Sequence, residues 1–373
     1  MRVIGIDLYR VRLPLRFTFE TSSHRKDAIE HILVRFQDES DLDGWGEIAC
    51  GNGPWFSAEY VSTAWAVATQ FLAPAVLDEE WRHPADLTAR WSGIAGHQAA
   101  KAGFDGAAWD LAARRDGVPL AVALGTSPRA IPVGVSVGIE KSVERLVERV
   151  GGYLAEGYHR VKLKIRPGWD AEPVRAVRCA YPDLLLHVDA NGAYRPGAES
   201  DEVMRQLDGL DLAMVEQPYP GRDFVSHARL RQRITTPLCL DESIEDAADL
   251  DTMLALDAAR MVNIKVSRVG GLTAALALDR RCADHDVGVW CGGMHEFGVG
   301  RAANIAFACD PAFDYPSDIS GSDKYFARDV VDPPIVARNG YVSPAAGPGL
   351  GLAVDLAWIE SIALDTSRHR ALR

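Results

Sequence analysis

Between residues 131 and 291 short apolar runs recur, each followed by a stretch of helical length: Ile131–Val137, Val161–Ile165, Leu184–Val188, Leu212–Val215, Leu238–Leu240, Met261–Val266 and Val287–Cys291. Strand and helix in alternation make a parallel sheet. Seven such units, with an eighth candidate at Phe313–Ile319, predict a closed barrel, and an open doubly wound sheet is the alternative. Lys164, Asp189, Glu216, Asp241 and Lys265 stand at or near the C-terminal ends of their runs, 25, 27, 25 and 24 residues apart. One strand–helix unit separates each from the next, so in a barrel all five meet at one mouth, where such folds build active sites. Side chains alternate along a strand. Lys162 and Lys164 therefore share a face, as do His187, Asp189 and Asn191, and as do Asn263 and Lys265. The apolar faces are free to pack on helices, which leaves these polar faces for the barrel interior.

Three carboxylates on successive strands repel one another unless something neutralises them. A hard divalent cation does so, and oxygen-only ligands favour Mg²⁺ over zinc. The lysines flank the acids in sequence, with Lys162 and Lys164 one unit before and Lys265 one unit after. An ordinary lysine is charged at neutral pH, and nearby cations disfavour the charged form, so one of these is suited to act as a base. Balancing the acids in a salt-bridge network and forming a Schiff base, as in aldolase-type barrels, are the other readings of these lysines.

The first 128 residues differ in style. Ile4–Leu15, Ala28–Phe36 and Gly44–Cys50 have strand composition, and helices are expected over about 57–73 and 97–115. The second helix carries Ala99, Ala102, Gly103, Gly106, Ala107 and Ala112, small residues that suit close packing. Gly125-Thr126-Ser127-Pro128 reads as a linker. A net charge of −12 argues against nucleic acid or an anionic membrane as partner. No apolar run reaches the roughly 18 residues of a membrane span, and the start Met1-Arg2-Val3-Ile4-Gly5-Ile6-Asp7 meets a charge too early for a signal peptide. The six cysteines, at 50, 179, 239, 282, 291 and 309, form no CxxC pair and read as reduced core residues of a cytoplasmic protein. Gly298-x-Gly300-x-x-Ala303 imitates a dinucleotide fingerprint but falls in a late unit of the barrel. The start of that helix is also a candidate holder of an anionic substrate group.

Taken in order, several short segments resemble the enolase superfamily over nearly the whole chain. They are Gly44-Trp45-Gly46-Glu47, Lys162-Leu163-Lys164-Ile165, Val188-Asp189-Ala190-Asn191-Gly192, Glu216-Gln217-Pro218, Cys239-Leu240-Asp241-Glu242-Ser243, Asn263-Ile264-Lys265 and Trp290-Cys291-Gly292-Gly293-Met294. The chain is similar to the muconate-lactonizing-like branch, and within it to the o-succinylbenzoate synthase / N-succinylamino acid racemase group. That resemblance implies an α/β fold: a modified TIM barrel, (β/α)7β, with an α+β capping domain. It implies a capping domain over 1–128, a barrel over 129–325, and a segment over 326–373 that returns toward the cap. Asp189, Glu216 and Asp241 would bind Mg²⁺, with Mn²⁺ as a substitute. Lys164 and Lys265 would be the acid/base pair on opposite faces of the substrate. Lys162, Asn191, Ser136 and Met294 would contact the substrate. The loop from Thr18 to Lys26, which holds His24 and Arg25, would close over the site.

The implied reaction removes a proton next to a carboxylate to give an enediolate. Return of a proton from the opposite lysine racemises the substrate, and loss of a β-hydroxyl dehydrates it to o-succinylbenzoate. Dipeptide epimerase and muconate cycloisomerase share the lysine pair and are alternatives, as, more distantly, are a Schiff-base aldolase and a non-catalytic ligand-binding barrel. The expected partner is a small carboxylate, with the chain assembling as a homo-oligomer. Two departures bear on substrate identity. His295 stands after the Gly-Gly-Met where an apolar residue is usual, and Pro316-Ser317-Asp318-Ile319-Ser320 replaces the usual Gly-Asp-Thr-Ser form.

Overall fold

In a computed structural model, residues 1–20, 25–313 and 315–371 are described. The long antiparallel strands Val3–Glu20 and Arg25–Asp38 carry alternating apolar residues, and Asp43–Ile48 extends their sheet on one side. The strand Ala363–Arg370, from the far end of the chain, pairs antiparallel on the other side of Val3–Glu20. This sheet rests on the helix Gln98–Arg115 through glycines. A Cβ on Gly46 would lie 1.9 Å from the Gly103 carbonyl oxygen, and one on Gly103 would lie 2.4 Å from Ile48 Cγ1. At Gly46 the contacts are all backbone atoms of the helix, so there is no flexible side-chain end to yield. Gly46→Ala is accordingly expected to destabilise the fold by about 3 kcal/mol, at the upper end of overpacking costs. A denaturant midpoint in the variant equal to that of the parent would contradict this.

The second sheet is parallel and has seven strands in sequential order: Val135–Val137, Arg160–Lys164, Leu185–Asp189, Val215–Glu216, Leu238–Leu240, Met261–Ile264 and Gly288–Cys291. Helices follow the strands, and amphipathic ones such as Val143–Ala155 and Ala171–Ala180 bury Leu146, Val150, Val174 and Val177 against the sheet's apolar side. Two expectations change at the seam. The run Ile131–Val137 is split, since Ile131–Pro132 pairs with Tyr341–Val342 and only Val135–Val137 joins the barrel. The Phe313–Ile319 run forms no strand among its described residues. Instead Ser317 and Asp318 bridge the two edges: Asp318 N–H donates to the Cys291 carbonyl (2.8 Å), and Gly134 N–H to that of Ser317 (2.9 Å). Closure at this seam therefore rests on a few hydrogen bonds rather than on a ladder.

Of the cysteines, five are buried free thiols and Cys179 is exposed, which corrects its assignment to the core. It falls at the outer end of the Ala171–Ala180 helix, whose sheet-facing positions are taken by Val174 and Val177. Among the described residues no helix is long and apolar enough to cross a membrane.

Candidate active site

Register brings the acids to one level. Lys164 lies opposite Asp189, and Asp189 opposite Glu216, across neighbouring parallel strands. Asp241 and Lys265 come just past the ends of the next two strands. Asp189, Glu216 and Asp241 are fully buried, and each offers a carboxylate oxygen within 4.8 Å of the others. Cations surround them. Lys162 Nζ lies 3.3 Å from Asp189 and 3.2 Å from Glu216. Lys164 Nζ donates to Asp189 Oδ2 (2.5 Å), and Lys265 Nζ to Asp241 Oδ2 (2.8 Å). Arg268 donates to the other oxygen of Asp241, and Asn263 Nδ2 to Glu216 Oε1 (2.8 Å). Buried carboxylates converging at this spacing, all with oxygen donors, fit a hard divalent cation such as Mg²⁺.

Electrostatics follow from this crowding. Burial pushes the Asp189 carboxyl up, but the ammonium groups of Lys164 and Lys162 outweigh it and hold Asp189 well below the usual carboxylate range. Burial works against charge on Lys162, and Glu216, Asp318 and Asp189 reverse this and hold it high. Glu242 is pushed up to about 8 by burial and by the charges of Asp241 and Asp189. Its neighbour Asn191, held at a left-handed φ of 46°, donates to Glu242 Oε1 (2.8 Å) and accepts from Lys164 (2.8 Å). Beneath the acids, His187 is kept neutral by burial and by the charges of Arg160 and Lys162. Arg160 is itself fully buried over the Trp290 and Tyr315 rings.

A cavity of about 410 Å³ opens above this cluster, between the barrel mouth and the capping sheet. Lys162, Lys164, Lys265, Asn191, Ser136 and Met294 all line it. Ser136 donates to Asp318 Oδ2 (2.7 Å), and Lys265 Nζ sits 4.6 Å from the centre of the Phe56 ring. From the loop expected to close over the site, Arg25 reaches the cavity, whereas His24 lies outside the described residues. His295 does not turn away at a helix start. Its ring stands in the cavity wall, 4.8 Å from Phe19 and 5.1 Å from Tyr325.

The helix Gly298–Phe307 does not offer its first amides to a ligand. Phe297 and Gly300 N–H donate to Glu47 (2.8 and 2.7 Å), and Gly298 N–H to Asp329 (2.8 Å). Glu47 thereby ties the capping sheet to the segment that carries Met294 and His295, and its Oε1 also lies 2.6 Å from His31 Nδ1. Two further cavity contributors were not singled out individually from the sequence, although Lys26 ends the loop expected to close over the site and Asp318 lies in the Pro316–Ser320 departure. Asp318 follows an irregular closing stretch, and Lys26 comes from the cap, outside any barrel spacing. Arg268 was findable in principle, as the residue one turn beyond Lys265.

Residues 3–125 match the family described as the mandelate racemase / muconate lactonizing enzyme N-terminal domain, and residues 145–358 match the enolase C-terminal domain-like family. An o-succinylbenzoate synthase from Geobacillus kaustophilus is 42% identical over 353 residues, covering 95% of this chain and 94% of its own. An N-succinylamino acid racemase from Amycolatopsis sp is 43% identical over 354 residues, covering 95% of each. Among solved structures, an enolase-superfamily protein from Listeria innocua matches with a TM-score of 0.95 at 36% identity, over 99% of both chains.

Proposed function

Because this chain belongs to the enolase superfamily, as an enzyme of its mandelate racemase / muconate lactonizing branch, we propose that it abstracts the proton α to a substrate carboxylate, with Lys164 and Lys265 as acid and base. The proposed outcomes are racemisation of N-succinylamino acids and dehydration to o-succinylbenzoate, which share that first step. The observation that carries this is the flanking arrangement: Lys164 on Asp189 and Lys265 on Asp241, with Glu216 between them, all beneath one cavity.

Asp189, Glu216 and Asp241 are the residues proposed to hold Mg²⁺. Bound there, the ion would supply Lewis-acid stabilisation of the negative charge that develops on the substrate carboxylate. The protein's own groups do the rest. Lys162 adds a fixed positive charge beside the same acids, where water is excluded and each charge counts for more. One of Lys164 and Lys265 takes the α-proton, and in racemisation the other returns one to the opposite face. Asn191 orients Lys164, and the Phe56 ring packs against the Lys265 ammonium. Ser136 and Met294 are proposed to fit the substrate's remaining groups.

The test is proton NMR in D₂O with Mg²⁺ and a panel of N-succinyl amino acids. Deuterium is expected to enter the α-carbon of both enantiomers. Protons that stay in place across the panel, together with covalent trapping of the substrate by borohydride, would instead establish a Schiff-base enzyme.

A further inference from the structure

The layer of side chains below the acid triad is polar, where a barrel of this kind is ordinarily filled by branched aliphatic residues. His187 stands two residues before Asp189 on the strand Leu185–Asp189, opposite Lys162 in register. It is fully buried, and its ring meets those of Trp290 and Tyr315 at 5.5 and 5.7 Å between centres. A buried imidazole costs free energy unless its nitrogens are bonded. Nδ1 is bonded, to the Tyr315 hydroxyl at 2.7 Å. Nε2 makes no hydrogen bond among the described residues, and it stands 3.4 Å from Glu216 Oε2.

That carboxylate settles which nitrogen carries the hydrogen. Burial and the charges of Arg160 and Lys162 keep the ring neutral, so it has one N–H. With the hydrogen on Nδ1, the Nε2 lone pair would point at a carboxylate oxygen and be repelled. With the hydrogen on Nε2, the Tyr315 O–H donates to Nδ1 and the Nε2–H points toward Glu216. Glu216 is also the acid least firmly held. Asp189 takes a close donor on each oxygen, Asn191 N–H on Oδ1 (2.8 Å) and Lys164 Nζ on Oδ2 (2.5 Å). Asp241 does too, with Arg268 on Oδ1 and Lys265 Nζ on Oδ2 (2.8 Å). Glu216 has Asn263 Nδ2 on Oε1 (2.8 Å), but among the described residues Oε2 has only Lys162 Nζ, at 3.2 Å. His187 is the neutral donor aimed at that oxygen, and it adds no positive charge that would oppose a cation.

We propose that Tyr315 and His187 form a relay that fixes the Glu216 carboxylate in the orientation in which the three acids converge, and so sets the affinity of the triad for a divalent cation. It rests on the reading of Asp189, Glu216 and Asp241 as the Mg²⁺ ligands. Both are positioning residues, since neither lines the cavity. Outer partners of this kind are worth about 10–100-fold in metal affinity.

The test is calorimetric titration of the full chain with Mg²⁺ at neutral pH and without substrate, so that turnover plays no part. His187→Leu is expected to raise the dissociation constant by about 10–100-fold, and Tyr315→Phe by about threefold or more. His187→Gln, whose amide N–H can stand where Nε2–H stood, should keep most of the affinity. Tyr315→Phe removes one oxygen from a half-buried ring, so it supplies a folded variant even if His187→Leu does not. A purely structural role would lower the melting temperature in EDTA and leave the Mg²⁺ affinity unchanged. A change of less than about threefold in either His187→Leu or Tyr315→Phe, in a parent that binds Mg²⁺, overturns the relay and leaves the triad reading standing. A parent that does not bind Mg²⁺ overturns both.

Discussion

Alanine in place of Lys164 or Lys265 is expected to lower racemisation by about 10²–10⁴-fold, the range lost with a positioned acid or base. The two variants should differ in a way that a shared structural role would not produce. Each lysine pairs with a different acid, Lys164 with Asp189 and Lys265 with Asp241, on either side of Glu216. If each serves one face of the α-carbon, Lys164→Ala should spare deuterium exchange in one enantiomer and Lys265→Ala in the other, while both abolish interconversion. Folding should survive both changes. Asp189 keeps Lys162 at 3.3 Å when Lys164 is gone, and Asp241 keeps Arg268 when Lys265 is gone. Lys→Arg at either position should rescue nothing, because a guanidinium retains its proton at any working pH. Chiral chromatography and NMR on both enantiomers provide the measurement. Racemisation within tenfold of the parent in both alanine variants would remove the lysines from the chemistry.

Chelation is the second large effect. EDTA should abolish turnover, and Mg²⁺ should restore it. In thermal unfolding, Mg²⁺ at about 100 times its dissociation constant should add about 2.7 kcal/mol of stability. Glu216→Gln should lose that stabilisation together with activity. Glu216 is the middle acid, and its loss leaves Lys162 still facing Asp189 and Asp318 (3.3 and 3.4 Å), so the variant has counter-ions with which to fold. A melting temperature indifferent to Mg²⁺ in the parent, with activity untouched by EDTA, would show that the three acids serve only to balance lysines.

The acid triad and its lysines were legible because a parallel barrel converts spacing into place. A strand, a helix and two turns take about 25 residues, so residues one unit apart arrive at neighbouring strand ends in register. Two-residue alternation then settled which of them face inward, as with Lys162 and Lys164 against Val161 and Leu163. Both rules act within one unit of chain, where backbone geometry dominates. The same local logic failed at the seam. Nothing in the composition of the Phe313–Ile319 run reveals that Ser317 and Asp318 bridge to Gly134 and Cys291 by single hydrogen bonds rather than joining them in a strand ladder. Nor does the glycine pattern at 298–303 reveal that Glu47 and Asp329 already hold the helix amides.

The sequence by itself determined the barrel, the level at which Asp189, Glu216 and Asp241 meet, and the lysines on either side of them, since these depend on period and pleat. The resemblance already set the Thr18–Lys26 loop over the site, and the tertiary structure decided which side chains face the acids across the cavity. Lys26 belongs to a sheet whose position is fixed by glycine contacts with one helix and by Glu47 on another. His295 is aimed by a left-handed turn between Phe19 and Tyr325. Such juxtapositions come from packing between parts of the chain hundreds of residues apart, and no local periodicity encodes them.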